Sequence, residues 1–135
     1  MAEKVNLIAV PWNGEAERLL ERAIGNNPTY TVQELRAEVE NRTSMLLSVV
    51  AGDQRLGYIA VFFEGFGGGR ELVLQCGAAL QNDTAALARA MPAFRDLARS
   101  GGATSIRAHM GDKARVRMFE KFGFKLAEYV VRTGV

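Results

Sequence analysis

The sequence predicts one α+β domain with a mostly antiparallel sheet and helices on its faces. Three observations carry this expectation. The 135 residues suffice for a single domain with a buried core. The spacing of apolar residues alternates between helical and strand periods along the chain. No internal repeat, low-complexity tract or linker interrupts residues 1–135, and the three glycines at 67–69 are few enough for a hairpin loop.

Asn6–Val10 is a short apolar run closed by Pro11 and reads as a strand. In Gly14–Ile24 the apolar residues Ala16, Leu19, Leu20, Ala23 and Ile24 fall on one helical face, and Gly25-Asn26-Asn27-Pro28 stops the helix. Thr31, with Glu34 three positions on, forms a capping box for a second helix that buries Val32, Leu35 and Val39. Met45–Ala51 is almost wholly apolar, as a strand covered on both faces would be. A turn at Gly52–Arg55 joins it to Leu56–Phe63, making a hairpin. Gly65–Gly69 is expected as a flexible loop, followed by a strand at Glu71–Cys76. Asn82-Asp83-Thr84 supplies a cap, with Asp83 standing in the capping place, for a helix running towards Arg99. Pro92 inside it removes an amide and crowds the preceding turn, so a kink or two short helices are expected. Ser105–His109 is a fifth strand, Lys113–Phe122 a last helix stopped by Gly123, and Leu126–Arg132 a final strand. The order is β-α-α-β-β-β-α-β-α-β.

Composition excludes several classes of function. Lys and Arg total 17 against 15 Asp and Glu, and a net charge of +2 argues against nucleic acid as a partner. No apolar run approaches the roughly 18 residues that cross a bilayer, so no membrane partner is expected. The N-terminal residues lead into only a short apolar stretch with no small-residue cleavage site, which argues against a secretory signal. Cys76 is the single cysteine, so no internal disulfide forms, and a cytoplasmic setting is expected. One Cys and one His, His109, cannot build a thiolate–imidazole zinc site, so no metal is expected.

The element order, together with Asp112-Lys113-Ala114-Arg115-Val116-Arg117-Met118-Phe119-Glu120-Lys121-Phe122-Gly123-Phe124, resembles the GCN5-related N-acetyltransferase (GNAT) family. In the family's C-terminal motif an Asn opens a helix, an aromatic precedes a Gly-Phe, and a strand follows. The resemblance covers nearly the whole chain. It implies the GNAT fold, acetyl-CoA as cofactor, and an amine, small or on a protein, as acceptor. It also implies that Glu71 deprotonates the amine, usually through water. The competing reading makes Glu71 a solvent-facing charge beside Arg70.

The resemblance further implies that Leu74, Cys76, Gly77 and Ala79 line the pantetheine slot, with Gly77 at the bulge that opens it or else at the end of the strand. Thr84 and Ala85 stand where helix-start amides cradle the pyrophosphate. Arg115 would reach the 3′-phosphate, or else belongs to a solvated basic helix face. Phe119 occupies the position of the family's proton-donating Tyr, and its ring also suits simple packing.

Two features depart from the family. Gln81–Leu87 contains neither the glycines nor the basic residue of the family's phosphate loop, and Phe119 has no proton to give. A second class of function therefore stands beside the enzyme. It is a non-enzymatic GNAT-like binding or assembly protein, of a kind found among phage proteins, with its cleft filled by side chains such as Leu80 and Leu87. Cys76 and His109 fall near the ends of adjacent strands, where a buried thiol or a Cys–His pair are the alternatives. The segment Leu126–Val135 offers an edge through which two copies could pair as a homodimer, unless Glu128 and Arg132 protect it.

Overall fold

The computed structural model describes residues 4–25, 30–110, 113–129, 131 and 133–135. In chain order the elements are β1 (Val5–Ala9), α1 (Gly14–Ile24), α2 (Val32–Glu40), β2 (Met45–Ala51), β3 (Gln54–Phe66), β4 (Gly69–Ala79), α3 (Asp83–Ser100), β5 (Ser105–Ala108) and α4 (Lys113–Glu120). The strands lie in sequence order across one sheet. The first three pairings are antiparallel and β4–β5 is parallel.

Local chemistry sets most boundaries. Asn13 caps α1 by accepting from the Ala16 amide at 3.0 Å, and Gly25, at φ 60°, ends it. Thr31 caps α2 by accepting from the Glu34 amide at 3.2 Å, which is the hydroxyl half of the expected box. The flexible loop expected at Gly65–Gly69 is instead the end of a long hairpin. Phe66 pairs with Gly69, and the turn between them has Gly68 at φ 93°, which only glycine adopts readily.

The sheet is covered on both faces. On one, Leu87, Met91, Phe94 and Ala98 of α3 pack on Leu47, Val49, Val61, Leu72 and Leu74, with α4 at the margin through Met118 and Phe119. On the other, Ala16, Leu19 and Leu20 of α1 and Leu35 of α2 pack on Leu46, Tyr58 and Ala60. This second face is tied by charge as well. Glu15 accepts from Arg55 at 2.8 Å and from the Tyr58 hydroxyl at 2.9 Å, and these two partners hold its carboxyl below the usual range.

Three expectations are corrected. Pro92 does not divide its helix, because α3 runs unbroken from Asp83 to Ser100. Met91 and Phe94, on either side of the proline, are anchored in the core. The carbonyl deprived of a donor, that of Ala88, lies with Pro92 on the exposed side, where water can satisfy it. Second, the final strand at Leu126–Arg132 does not form among the described residues. Leu126, Tyr129 and Val131 are 53%, 85% and 92% exposed, so the described residues of this segment have neither a ladder partner nor a buried face. Val130 and Arg132 lie outside the described residues.

The third correction concerns the bulge in β4. Ala60 pairs with Cys76 and Val61 with Leu74, so the unmatched residue is Gln75 rather than Gly77. The bulge reverses the alternation of the strand. Leu72 and Leu74 belong to the α3 core, whereas Cys76 and Ala78 pack with the α1/α2 core. A second irregularity leaves Leu56 of β3 without a partner in β2.

Gly57, beside that irregularity, lies against the bulged stretch. A Cβ there would stand 2.3 Å from the Ala78 carbonyl oxygen, which is backbone and cannot swing aside. Gly57→Ala is expected to lower stability by about 1–3 kcal/mol through overpacking. Thermal denaturation followed by circular dichroism would show a fall of roughly 4–10 °C. A Tm equal to that of the wild type would mean that the two strands separate there without cost.

Candidate functional site

The parallel ladder between β4 and β5 ends at the pair Leu74–Ala108, with a last bond from the His109 amide to the Leu74 carbonyl at 3.5 Å. Strand β4 continues to Ala79 paired with β3 alone. Its outward backbone groups over this stretch face a gap, and an unpaired strand edge is a ready partner for an extended ligand.

A cavity of about 130 Å³ opens on this gap. Its walls are mostly apolar: Leu74, Ala78 and Ile59 from the sheet, Leu87, Ala90 and Phe94 from α3, Met118 and Phe119 from α4. His109 and Arg115 are its polar members, and Tyr58 and Cys76, whose side chains pack with the α1/α2 core, also border it. That volume suits a small acyl group or a slender arm rather than a whole large ligand. A second cavity of about 160 Å³ adjoins it, sharing Leu56 and Ala86, and is lined by Arg55, Gln81, Asn82 and Arg89 among others. The two form a trough beside the first turns of α3. Neither Leu80, which is exposed, nor Leu87, which is a wall of the first cavity, closes it.

Leu74, Cys76, Gly77, Ala79, Arg115 and Phe119, all expected from the sequence, line the first cavity, and Ala85 lines the second. Thr84 lines neither and is exposed. Phe119 also packs edge-on against Phe124, with ring centres 5.0 Å apart, so it is wall and core at once.

Glu71 lines neither cavity. It lies on β4 before the gap, where Arg107 donates to its Oε1 at 2.9 Å and Ser105 to its Oε2 at 2.8 Å. Arg107 also donates to Glu64 at 2.6 Å and, through Nε, to His109 Nε2 at 3.0 Å. Parallel pairing of β4 with β5 stacks Glu71 against Ser105 and makes this network.

Cys76 and His109 reach the same cavity, but they do not form a thiolate–imidazole pair. Burial pushes the thiol up to about 11, against a smaller opposing effect of the Arg115 charge. His109 meanwhile accepts from Arg107.

The start of α3 is capped by Asn82 rather than by Asp83. The Asn82 side chain accepts from the Ala85 amide at 2.9 Å, and its carbonyl accepts from the Ala86 amide at 3.0 Å. Asp83 is the first helical residue and its side chain lies outside the described ones. A neutral amide oxygen, not a carboxylate, therefore occupies that helix-start amide.

Sequence reasoning missed Leu56, Gly57, Arg55 and Arg89. A glycine inside a strand pattern is a signal of close backbone approach, and Gly57 carried that signal. Nothing local marks the arginines, which meet only through the fold. Among the described residues, no group of His, Cys, Asp and Glu could hold a metal ion, and no helix is long and apolar enough to cross a membrane.

No protein-family model matches the sequence, and no curated protein matches it. Solved structures match over nearly the full chain. One is a "probable acetyltransferase", with a TM-score of 0.71 and 11% identity over 98% of this chain and 99% of that one. A Trypanosoma brucei acetyltransferase matches with a TM-score of 0.63 and 12% identity over 98% of this chain and 100% of its own. A transcriptional regulator from Bacillus halodurans C-125 matches with a TM-score of 0.67 and 16% identity over 97% and 99%. The chain thus has a GNAT-like α+β fold, as the sequence resemblance implied. Proteins with differently named activities share it, so the fold does not by itself select a reaction.

The buried thiol gives a direct test of how well the α1/α2 core beneath the gap excludes water. At pH 8 the folded protein should react with iodoacetamide at least about tenfold more slowly than the chain unfolded in guanidinium, and its rate should keep rising towards pH 11. Equal rates in the two states would mean that Cys76 meets bulk water.

Proposed function

We propose that this protein is an N-acyltransferase that seats the thioester arm of acetyl-CoA in the β4–β5 gap and passes the acetyl group to an amine. The observation that carries this reading is the unpaired edge of β4 beyond Leu74, flanked by an apolar cavity. Acetyl-CoA would supply the activated acyl group. The chain's own part would be position and exclusion. Backbone groups of Cys76–Ala79 would align an arm laid along them. Leu87, Phe94, Met118 and Phe119 would keep water from the reacting centre.

The fit is good for the arm and weaker for the phosphates. The start of α3 has no glycine to admit a close phosphate, and Asn82 already uses the Ala85 amide. Arg55 and Arg89, in the adjoining cavity, are the cations that could hold the phosphates instead. Glu71 would take the amine's proton through a water, since Arg107 and Ser105 hold its two oxygens. Phe119 would contribute surface and no proton.

The capped start of α3 also favours a second reading, in which the same trough binds a partner without cofactor chemistry. Titration with acetyl-CoA and CoA, followed by thermal shift and calorimetry, separates the two. At 100 times the dissociation constant, acetyl-CoA should add about 2.7 kcal/mol, a rise of several degrees. Ala86→Leu, which narrows the passage between the two cavities, should abolish that rise while keeping the protein's own Tm. No shift at millimolar cofactor would overturn the acyltransferase reading in favour of the binding module.

A further inference from the structure

We propose that the acyl donor is recognised as a phosphopantetheine thioester, with a single phosphate held on Arg89 and the nucleotide of CoA left unread. The assignment rests on the acyltransferase reading and narrows its donor from a whole cofactor to an arm ending in one phosphate. That unit is common to CoA and to the prosthetic arm of an acyl carrier protein.

The starting point is Arg89. Among the described residues the half-buried arginines are Arg89, Arg107 and Arg115. Arg107 is bonded to Glu64 and Glu71, and Arg115 is engaged as well. Arg89 has no hydrogen bond or ion pair among the described residues. Its neighbours three and four positions away on α3 are Ala85, Ala86, Pro92 and Ala93, so no adjacent helical side chain carries a countercharge. A charge partly withdrawn from water without a partner is unfavourable, and a bound anion relieves it.

The surroundings define that anion. Arg89 lines the cavity of about 160 Å³ together with Gln54, Gln81 and Asn82, and no carboxylate among the described residues lines it. Arg55 also borders this cavity, but its guanidinium donates to Ser48 at 3.0 Å and to Glu15 at 2.8 Å. Glu15 belongs to α1, on the face of the sheet opposite α3, so the charge of Arg55 is drawn away. The cavity thus offers one uncommitted cation among neutral amides. A guanidinium fork suits one phosphate well. CoA brings a pyrophosphate and a 3′-phosphate, and this cavity has no further uncommitted cation for them. The start of α3 does not make up the difference, because Asn82 already occupies the Ala85 amide.

Reach agrees with charge. From Leu74, where pairing with β5 ends, to Ala79 the strand covers roughly 15 Å. A pantetheine arm is of similar length. The residues that follow, Leu80, Gln81 and Asn82, line the second cavity. An arm with its thioester at Leu74 therefore brings its phosphate to the cavity of Arg89, and a nucleotide attached beyond it would extend into solvent.

The test is a calorimetric series on the folded protein at one ionic strength, with acetyl-CoA, S-acetyl phosphopantetheine and S-acetyl pantetheine. The first two should bind within about threefold of each other. Loss of the phosphate should weaken binding about tenfold or more, the range of a hydrogen bond between charged groups. In Arg89→Gln, S-acetyl phosphopantetheine should fall to the level of S-acetyl pantetheine, whose own binding should not change. Acetyl-CoA binding more than tenfold tighter than S-acetyl phosphopantetheine would overturn the assignment, because the nucleotide would then be read. Equal binding with and without the phosphate would also overturn it, as would an Arg89→Gln protein that still prefers the phosphate. If that variant fails to fold, the series on the wild type decides alone. Competition then identifies the source of the arm. Acetyl-CoA and an acetylated acyl carrier protein should each displace S-acetyl phosphopantetheine, the tighter competitor being the donor, and failure of both to compete would overturn the assignment. If none of the three ligands binds, the acyltransferase reading itself fails, a result distinct from binding that ignores the phosphate.

Discussion

Strand β4 has to satisfy two cores that demand opposite alternation, and the bulge at Gln75 is how it does so. Before the bulge, Leu72 and Leu74 face α3; after it, Cys76 and Ala78 face α1 and α2. The reversal costs a regular ladder position. The cost is offset locally, because Gln75 makes side-chain hydrogen bonds to Tyr30, Glu38 and Ser44, each worth about 1 kcal/mol net. Those bonds tie α2 to β4. Parallel pairing with β5 stops just before the bulge, so one irregularity both joins the two faces and opens the gap.

Much of the frame is legible in the sequence because its causes are local. The helical spacing of Ala16, Leu19 and Leu20, the Thr31 cap and the almost wholly apolar run Met45–Ala51 each specify their element within a few neighbouring residues. What stays hidden is tertiary. Gln75 lies 45 positions from Tyr30, 37 from Glu38 and 31 from Ser44. No window of sequence shows that these groups meet, and Gly77 is the more obvious residue for a bulge. The C-terminal segment fails for the complementary reason. Its alternation suits a strand, but alternation supplies no partner.

The candidate site divides in the same way. Residues on β4 and α4 were reached through the family resemblance, and the fold brings them to one cavity. Glu71 shows the limit of that method. Its place on the strand was right, yet its surroundings depend on Arg107, 36 positions away, which claims one of its oxygens. An acidic residue in a catalytic register is an available base only when its neighbours leave it a free lone pair, and that is decided by the cross-strand partner rather than by the strand itself.

The start of α3 poses the sharpest conflict between family resemblance and local chemistry. An Asn cap is worth about 1 kcal/mol, so a phosphate offering stronger acceptors could displace the Asn82 side chain. The missing glycines matter more, since Cβ atoms at Asn82 and Thr84 hold any anion farther from the amides. The adjoining cavity compensates with charge. Arg55 is partly committed, bonded to Ser48 and Glu15, whereas Arg89 pairs with no carboxylate among the described residues. Side-chain cations act through solvent over a longer range than amides and are screened by salt over about 8–10 Å. A phosphate held here would consequently be held by charge more than by shape, with an affinity that falls as ionic strength rises, whereas an arm laid along the β4 edge would be held by backbone hydrogen bonds that salt leaves largely intact.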